Sequence, residues 1–383
     1  MASPITLFGI TWNHTRGFVP MVATAQHWTD QHPEVTISWQ TRSLKDFGEF
    51  PIERLIENFD LLIIDHPFAG YASANNVLLP LDELLPPDFL VELAANQVGV
   101  SCDSYIAGGH LWALPVDAAT PIAGWRADLL TQHDASVPQT WDDLLALAHR
   151  GLVAVPAAAV DALMHVYMLC IALGEEPFLS EEQFVAEPIG LQALTLLQEL
   201  IAAAGPENID RNPIRTWEAL SRGDTLAYCP FAYGYANYGQ QDYTANRLTF
   251  GAPVTFNGLP LRTTLGGTGL AISSRCQHPE IAAAYAGWVM SEQCQRGLYT
   301  RTGGQPGHRA AWTDPALDQF CNGFFSATLA THDAAYLRPR YAGYIPFQEE
   351  AGFVIRDFLR DDGDAGETLR RINDLYQESL GRG

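Results

Sequence analysis

An α/β fold in two parts is predicted by three features of the chain. The first third alternates strand and helix patterns, and the middle carries core signals of its own. The length, 383 residues, suits two domains or one unit of two lobes at about 150 residues per domain. Hydrophobic residues make up 47% and charged residues 17%, which is ample apolar material for sizeable cores.

In order, Ile5 to Ile10 is a short strand-like run. Pro20 opens a segment with Val22, Ala25, Trp28 and Thr29 at helical spacing, which Pro33 stops. Val35 to Trp39 alternates like a strand, and Pro51 stands at the first turn of a helix from Ile52 to Phe59 with Leu55 and Ile56 inward. Leu61 to Ile64 is a fully apolar strand ending at Asp65. This β-α-β-α-β order implies a parallel sheet, whose ligand crevice lies beyond the carboxyl ends of the strands. Trp12, Asn13 and His14 follow the first strand and Asp65 and His66 end the third, so all five are expected on one crevice.

The middle, from about Ala118 to Phe256, begins a helix at Pro138-Gln139-Thr140-Trp141-Asp142-Asp143, with Thr140 as cap and two acids in the first turn. Val153 to Val155 reads as a strand, Ala157 to Ala172 and Ile189 to Ala203 as apolar helices, and Asp224 to Cys229 as another strand. A loop dense in aromatics follows: Phe231, Tyr233, Tyr235, Tyr238 and Tyr243. No Gly/Ser tether joins the halves, which points to hinge strands between them.

The net charge of −22 argues against nucleic acid and against an anionic membrane surface as partners. The longest apolar stretch, Gly151 to Gly174, contains Pro156, Asp161 and His165 and reads as a buried helix after a strand, so no membrane insertion is expected. Six cysteines, Cys102, Cys170, Cys229, Cys276, Cys294 and Cys321, form no CxxC. A zinc or thioredoxin-like motif is therefore absent, and the thiols read as buried and free, with disulfides as the alternative. The N-terminus lacks a basic n-region, a long apolar h-region and a cleavage site. The chain as written is thus expected in the cytoplasm, and in the periplasm or outside the cell if a signal has been trimmed.

Candidate site residues follow from chemistry at strand ends. Trp12 offers a stacking face, and the imidazoles of His14 and His66 can hydrogen-bond a ligand, hold a metal or shuttle protons. Asp65 ends an apolar strand, where a carboxylate is costly unless paired or solvated, although it can also cap the next turn. Asp117 follows Leu114-Pro115 and can accept two hydrogen bonds from vicinal hydroxyls. Tyr233, Tyr235 and Tyr238 combine flat apolar faces with hydroxyls, suited to sugars and quaternary ammonium groups, or else line a buried strand. Gly266, Gly267 and Gly269 precede a strand rather than a helix with Lys-Ser/Thr, so the phosphate-loop and dinucleotide fingerprints fail; close backbone approach to a ligand is the better reading. Gln305 and Arg309 lie in a Gly-rich turn, where Arg309 can fork a carboxylate, while Arg338 and Arg340 flank Pro339 and suit structural ion pairs. GxSxG, HExxH and Walker A motifs are absent, and no cofactor or resident metal is expected.

Several segments together resemble the extracellular solute-binding proteins of ABC importers, in the class of the maltose- and other sugar-binding proteins. Thr11-Trp12-Asn13-His14, Leu61 to Gly70, Leu111 to Asp117 followed by Ile122 to Leu130, and Pro138-Gln139-Thr140-Trp141-Asp142 carry the resemblance in the first half. Ala219 to Cys229, Gly266 to Ser273, His278 to Tyr285, Gly303 to Arg309 and Leu337 to Tyr341 carry it in the second.

The resemblance implies a type II periplasmic-binding-protein fold. One lobe would hold residues 1–115 plus 262–312 and the other 116–261 plus 313–383, each a mainly parallel sheet flanked by helices, with a ligand cleft between lobes. It implies a bacterial monomer that captures a polar small molecule (sugar, polyol or betaine-like) by hinge closure and docks on an ABC permease. Ligand contacts would come from Trp12, Asn13, His14, Asp65, His66, Asp117, Tyr233, Tyr235, Gly266, Gly267, Gln305 and Arg309. The alternative is a cytoplasmic enzyme or sensor on the same fold, acting on a small carboxylate or acyl-CoA-type substrate. Asp65, His66, His14 and Asp117 would then be its acid-base groups, and Arg309 would hold the substrate carboxylate.

Overall fold

A computed structural model of the protein describes residues 4–44, 46 and 52–381. The chain divides into two compact units. Unit 1 comprises Met1–Ala119, Gly266–Gln319 and Arg340–Ala342; unit 2 comprises Thr120–Leu265, Phe320–Pro339 and Gly343–Gly383.

Unit 1 is built on strands β1 (Ile5–Trp12), β2 (Val35–Arg42), β3 (Leu61–Ile64), β6 (Leu114–Ala119) and β12 (Gly266–Ile272), in the order β2-β1-β3-β12-β6. The intervening β4 (Ile106–Ala107) and β5 (His110–Leu111) form a separate hairpin. β1 runs parallel to β2, from Ile5 beside Val35 to Trp12 beside Arg42, and parallel to β3 through Gly9 and Leu61. Alternating burial on β2 fits an edge strand, whereas Leu61, Leu62, Ile63 and Ile64 are all buried, as the unbroken apolar run requires. β12 is antiparallel to both β3 and β6, so β6 runs in the same sense as β1 and β3. The carboxyl ends of β1, β3 and β6 and the start of β12 therefore share one edge of the sheet.

The helix Thr15–Gln31 leaves β1 at once. Its N-terminus lies five residues before Pro20, where the proline signal had placed it. His14 caps it by accepting from the Arg16 backbone N–H, and Pro20 sits inside, at the cost of the hydrogen bond its missing N–H would have given. The next helix is short, Ile52–Leu55, and the Pro51 expectation lies outside the described residues. Helix Phe68–Asn75 meets the late chain so closely that a Cβ on Gly70 would overlap the Arg340 carbonyl.

Unit 2 centres on a three-stranded sheet, β8-β7-β9, with β7 at Pro121–Trp125, β8 at Tyr228–Tyr233 and β9 at Thr249–Gly251; β10 (Thr255–Phe256) and β11 (Leu259–Pro260) form a small hairpin. Both neighbours of β7 are antiparallel to it, which corrects the expectation of a mainly parallel sheet in this part. The run Val153-Ala154-Val155 supplies only one parallel bridge, Val153 to Tyr228. Beyond it the Val155 N–H turns to the Asn208 side chain, and Pro156 has no N–H to offer. β8 also begins four residues later than Asp224 and continues through Phe231 to Tyr233, so part of the aromatic loop is strand. Its packing explains the shift: Trp217, fully buried, donates from Nε1 to the Tyr233 carbonyl and fills the space over Gly124 of β7.

Around this sheet lie helices Trp141–Ala148, Ala159–Ala172, Glu187–Ala204, Tyr344–Asp361 and Ala365–Leu380. Thr140 and Asp143 form a reciprocal capping box at the first of these, as the sequence predicts. Helix Ala159–Ala172 is buried on nearly every side. All six cysteines are buried and none is in a disulfide. Among the described residues no helix is long and apolar enough to cross a membrane.

Candidate functional site

The candidate residues of unit 1 gather at the carboxyl edge of its sheet. On β12 and β6 the register sets Thr268 opposite Asp117, and Gly269 opposite Ile64 of β3. Thr268 and Asp117, directly opposed in an antiparallel pair, share a face, and Asp65 follows Ile64 at the same edge, so the three make a row of polar residues where the apolar run of β3 ends.

Asp117 is buried and bound to Arg16 of helix Thr15–Gln31: Arg16 Nε donates to Asp117 Oδ2 at 2.8 Å and Nη2 donates to Oδ1. Burial pushes the Asp117 carboxyl up, and the Arg16 guanidinium with a backbone donor from Gln305 pulls it back down. Arg16 lies 6.0 Å from the Trp12 ring centroid, and a Cβ on Gly17 would overlap that ring. Trp12 is accordingly 3% exposed, held between its own helix start and the sheet.

His14 Nδ1 accepts from the Arg16 N–H at 3.0 Å. Burial, with Arg16 close by, lowers its pKa to about 3, so the ring is neutral at physiological pH and its lone pair is committed to the cap. Asn13 beside it is exposed. Asp65 is partly exposed and accepts the His66 backbone N–H at 2.8 Å, while His66 is fully buried with its ring edge-on to Tyr105 at 6.3 Å. Gly266 and Gly267 are half-buried; Gly267 has φ +96° and a Cβ there would overlap the Asp117 carbonyl oxygen, so only glycine fits. Gln305 Nε2 donates to the Ala118 carbonyl at 2.6 Å, buried behind the edge. Arg309 is turned to the chain before β4, its Nε donating to the Gln97 carbonyl at 2.9 Å.

The remaining candidates belong to unit 2. Tyr233 is half-buried and its hydroxyl shares a hydrogen bond with Thr264 Oγ1 at 3.0 Å. Tyr235 is buried against Tyr238, whose hydroxyl donates to Glu218 at 2.8 Å. Among the described residues no three His, Cys, Asp or Glu side chains are grouped to hold a metal ion.

Sequence reasoning missed Arg16 and Thr268. Arg16 carried a signal: a cation in the first turn of a helix opposes the helix dipole and calls for a carboxylate partner. Thr268 carried none, since its place between two acids depends on pairing between segments about 150 to 200 residues apart.

The comparison with known families decides the assignment. The model of the bacterial extracellular solute-binding proteins matches residues 11–296, well over half of the chain. The chain belongs to that family. Solved structures of solute-binding proteins have the same fold. A maltose-bound MalE3 of T. maritima aligns with a TM-score of 0.83 at 16% identity, covering 99% of this chain and 100% of that one. A ribitol complex from Agrobacterium radiobacter K84 aligns at 0.82 and 18% identity over 98% of each chain. An α-D-tagatose complex from Thermotoga lettingae TMO aligns at 0.83 and 16%, covering 98% of this chain and 100% of that one. This solute-binding protein thus has the mixed α/β, type II periplasmic-binding fold that the resemblance implied.

Proposed function

We propose that this protein captures a polar, hydroxyl-rich small molecule, a sugar or polyol, and delivers it to an ABC-type permease, acting as a monomer in the periplasm or outside the cell. The observation that carries the reading is the polar row at the carboxyl edge of the unit 1 sheet, in a chain of the solute-binding family. Ligands in open parallel sheets bind at that edge. Asp65 offers carboxylate oxygens, Asn13 an amide, and Gly266 and Gly267 close backbone approach. Trp12, His14, His66, Asp117 and Gln305 fix the frame behind them, with the Arg16–Asp117 pair as its anchor. The neighbours whose names include maltose, ribitol and tagatose support the same ligand class.

A thermal-shift screen against sugars and polyols, with mass analysis of each hit after incubation, tests the reading. A ligand at a hundred times its dissociation constant stabilises by about 2.7 kcal/mol. A hit that stabilises and returns unchanged supports capture, and a hit that returns chemically altered overturns it.

A further inference from the structure

A half-open cavity of about 180 Å³ lies wholly within unit 1, between helix Pro87–Ala95 and the β4–β5 hairpin. Cavities of about 150 Å³ take a benzene-sized molecule, so this one has room for about six heavy atoms. Its walls are largely apolar. Helix Pro87–Ala95 carries Phe89, Leu90, Val91 and Leu93 yet buries only Leu93, and Leu90 and Leu93 line the cavity. Leu111 of β5 lines it too. The hairpin returns Leu111 to the helix through Gly108 and Gly109, whose φ values of +58° and +87° suit glycine at both positions of a tight turn.

Two carboxylates, Asp82 and Asp103, share this apolar lining with His110. Asp82 is held in place: Oδ1 accepts from the Leu111 N–H at 2.8 Å, and Oδ2 accepts from His110 Nδ1 at 3.0 Å. A carboxylate oxygen has two lone pairs, so each oxygen of Asp82 can take one more donor. Asp103 is exposed and accepts from Gln97 Nε2 at 3.3 Å, a long bond. Glu83 adds a further negative charge 3.8 Å from His110 Nδ1. Arg340 stands close enough to feel the charge of Asp103, but its Nη1 donates to the backbone carbonyls of Asp103 and Ile106. An apolar hollow with acceptor-only acids suits a compact cation on an apolar stem. An ammonium brings three polarised hydrogens where an alcohol brings one, and a carboxylate is repelled.

We propose that this cavity is a second binding site, sharing no residue with the sheet edge, for a primary alkylammonium group. Its stem lies on Leu90, Leu93 and Leu111, and its N–H donors meet Asp82 and Asp103. Two sources present that chemistry, a free small amine and a lysine side chain of a partner protein.

The test titrates the nitrogen-15-labelled protein with n-butylammonium, n-butanol and butyrate, followed by NMR at the backbone amides of His110 and Leu111. n-Butylammonium should shift these amides saturably and bind at least tenfold more tightly than n-butanol, and butyrate should leave them unmoved. Asp103→Asn, at an exposed position, should keep the rest of the spectrum and weaken n-butylammonium at least fivefold. Ala94→Phe, which places a ring in the cavity, should abolish its binding. Nα-acetyl-lysine N-methylamide that shifts the same amides identifies a lysine side chain as the source; its exclusion while n-butylammonium binds identifies a free amine. n-Butylammonium no tighter than n-butanol, or an affinity unchanged within twofold in both variants, overturns the proposal and leaves only a general attraction of cations to an acidic chain.

Discussion

Arg16 and Asp117, a hundred and one residues apart, meet as a buried ion pair with side chains 4% and 0% exposed. The pair ties the start of the first long helix to the end of β6 and so sets the geometry of the sheet edge. Breaking it from one side strands a charge: Asp117→Ala is expected to cost roughly 3–5 kcal/mol, read by urea denaturation. The double variant Arg16→Met, Asp117→Leu should recover most of that loss, because a well-packed apolar pair of similar volume avoids the desolvation penalty.

Gly70 and Gly109 separate two costs of adding a methyl group. At Gly70 the new Cβ overlaps the Arg340 carbonyl, which only a backbone shift can relieve. At Gly109 the space is open and only φ of +87° opposes it. Gly109→Ala should therefore cost about 1 kcal/mol and Gly70→Ala several times more, measured side by side in thermal melts.

Stability should peak near pH 6.5. His14 and His165 have folded pKa values lowered from 6.5 to about 3. The unfolded chain binds protons there that the folded one refuses, so each removes about 1.4 kcal/mol of stability per unit as pH falls below 6.5. Asp161 acts in the other sense: raised from 3.8 to about 8, it holds a proton the unfolded chain has released, so stability falls as pH rises toward 8. Below pH 6.5 the two histidines outweigh the one acid, and above it only the acid acts. Chemical denaturation at pH 5, 6.5 and 8 should show the middle value highest, by roughly 1 kcal/mol on each side. Asp161→Asn should flatten the alkaline limb and steepen the acid one, because the carboxyl no longer opposes the histidines there.

Burial pushes the Cys102 and Cys294 thiols up to about 12 and Cys276 up to about 11. Thiolate is the reactive form, so all six cysteines should resist a thiol-reactive dye in the native protein. All six should then titrate within minutes in guanidinium. Rapid native labelling of any one would show that its cover opens readily.

Where local pattern decides, the fold was legible in the sequence. The unbroken Leu61–Ile64 run could only be an interior strand, and Thr140 with Asp143 wrote their capping box into consecutive residues. Legibility failed where a distant partner decides. Pro20 looked like a helix start because nothing local shows that His14 caps the helix earlier. β8 extends through Tyr233 because Trp217 and β7 pair with it, a fact held outside its own residues. The candidate edge follows the same division: strand ends pointed to Trp12, His14, Asp65, His66 and Asp117. The Arg16 clasp and the place of Thr268 needed the register between segments far apart in the chain.

The central claim is that the carboxyl edge of the unit 1 sheet takes a sugar or polyol. Isothermal titration of the purified protein with ribitol, mannitol, tagatose and maltose, repeated on Asp65→Ala, tests it most directly. The account predicts saturable one-site binding of at least one of these, weakened at least tenfold in an Asp65→Ala variant that still unfolds cooperatively. Binding that persists undiminished in Asp65→Ala, or no binding by any of the four, would contradict it.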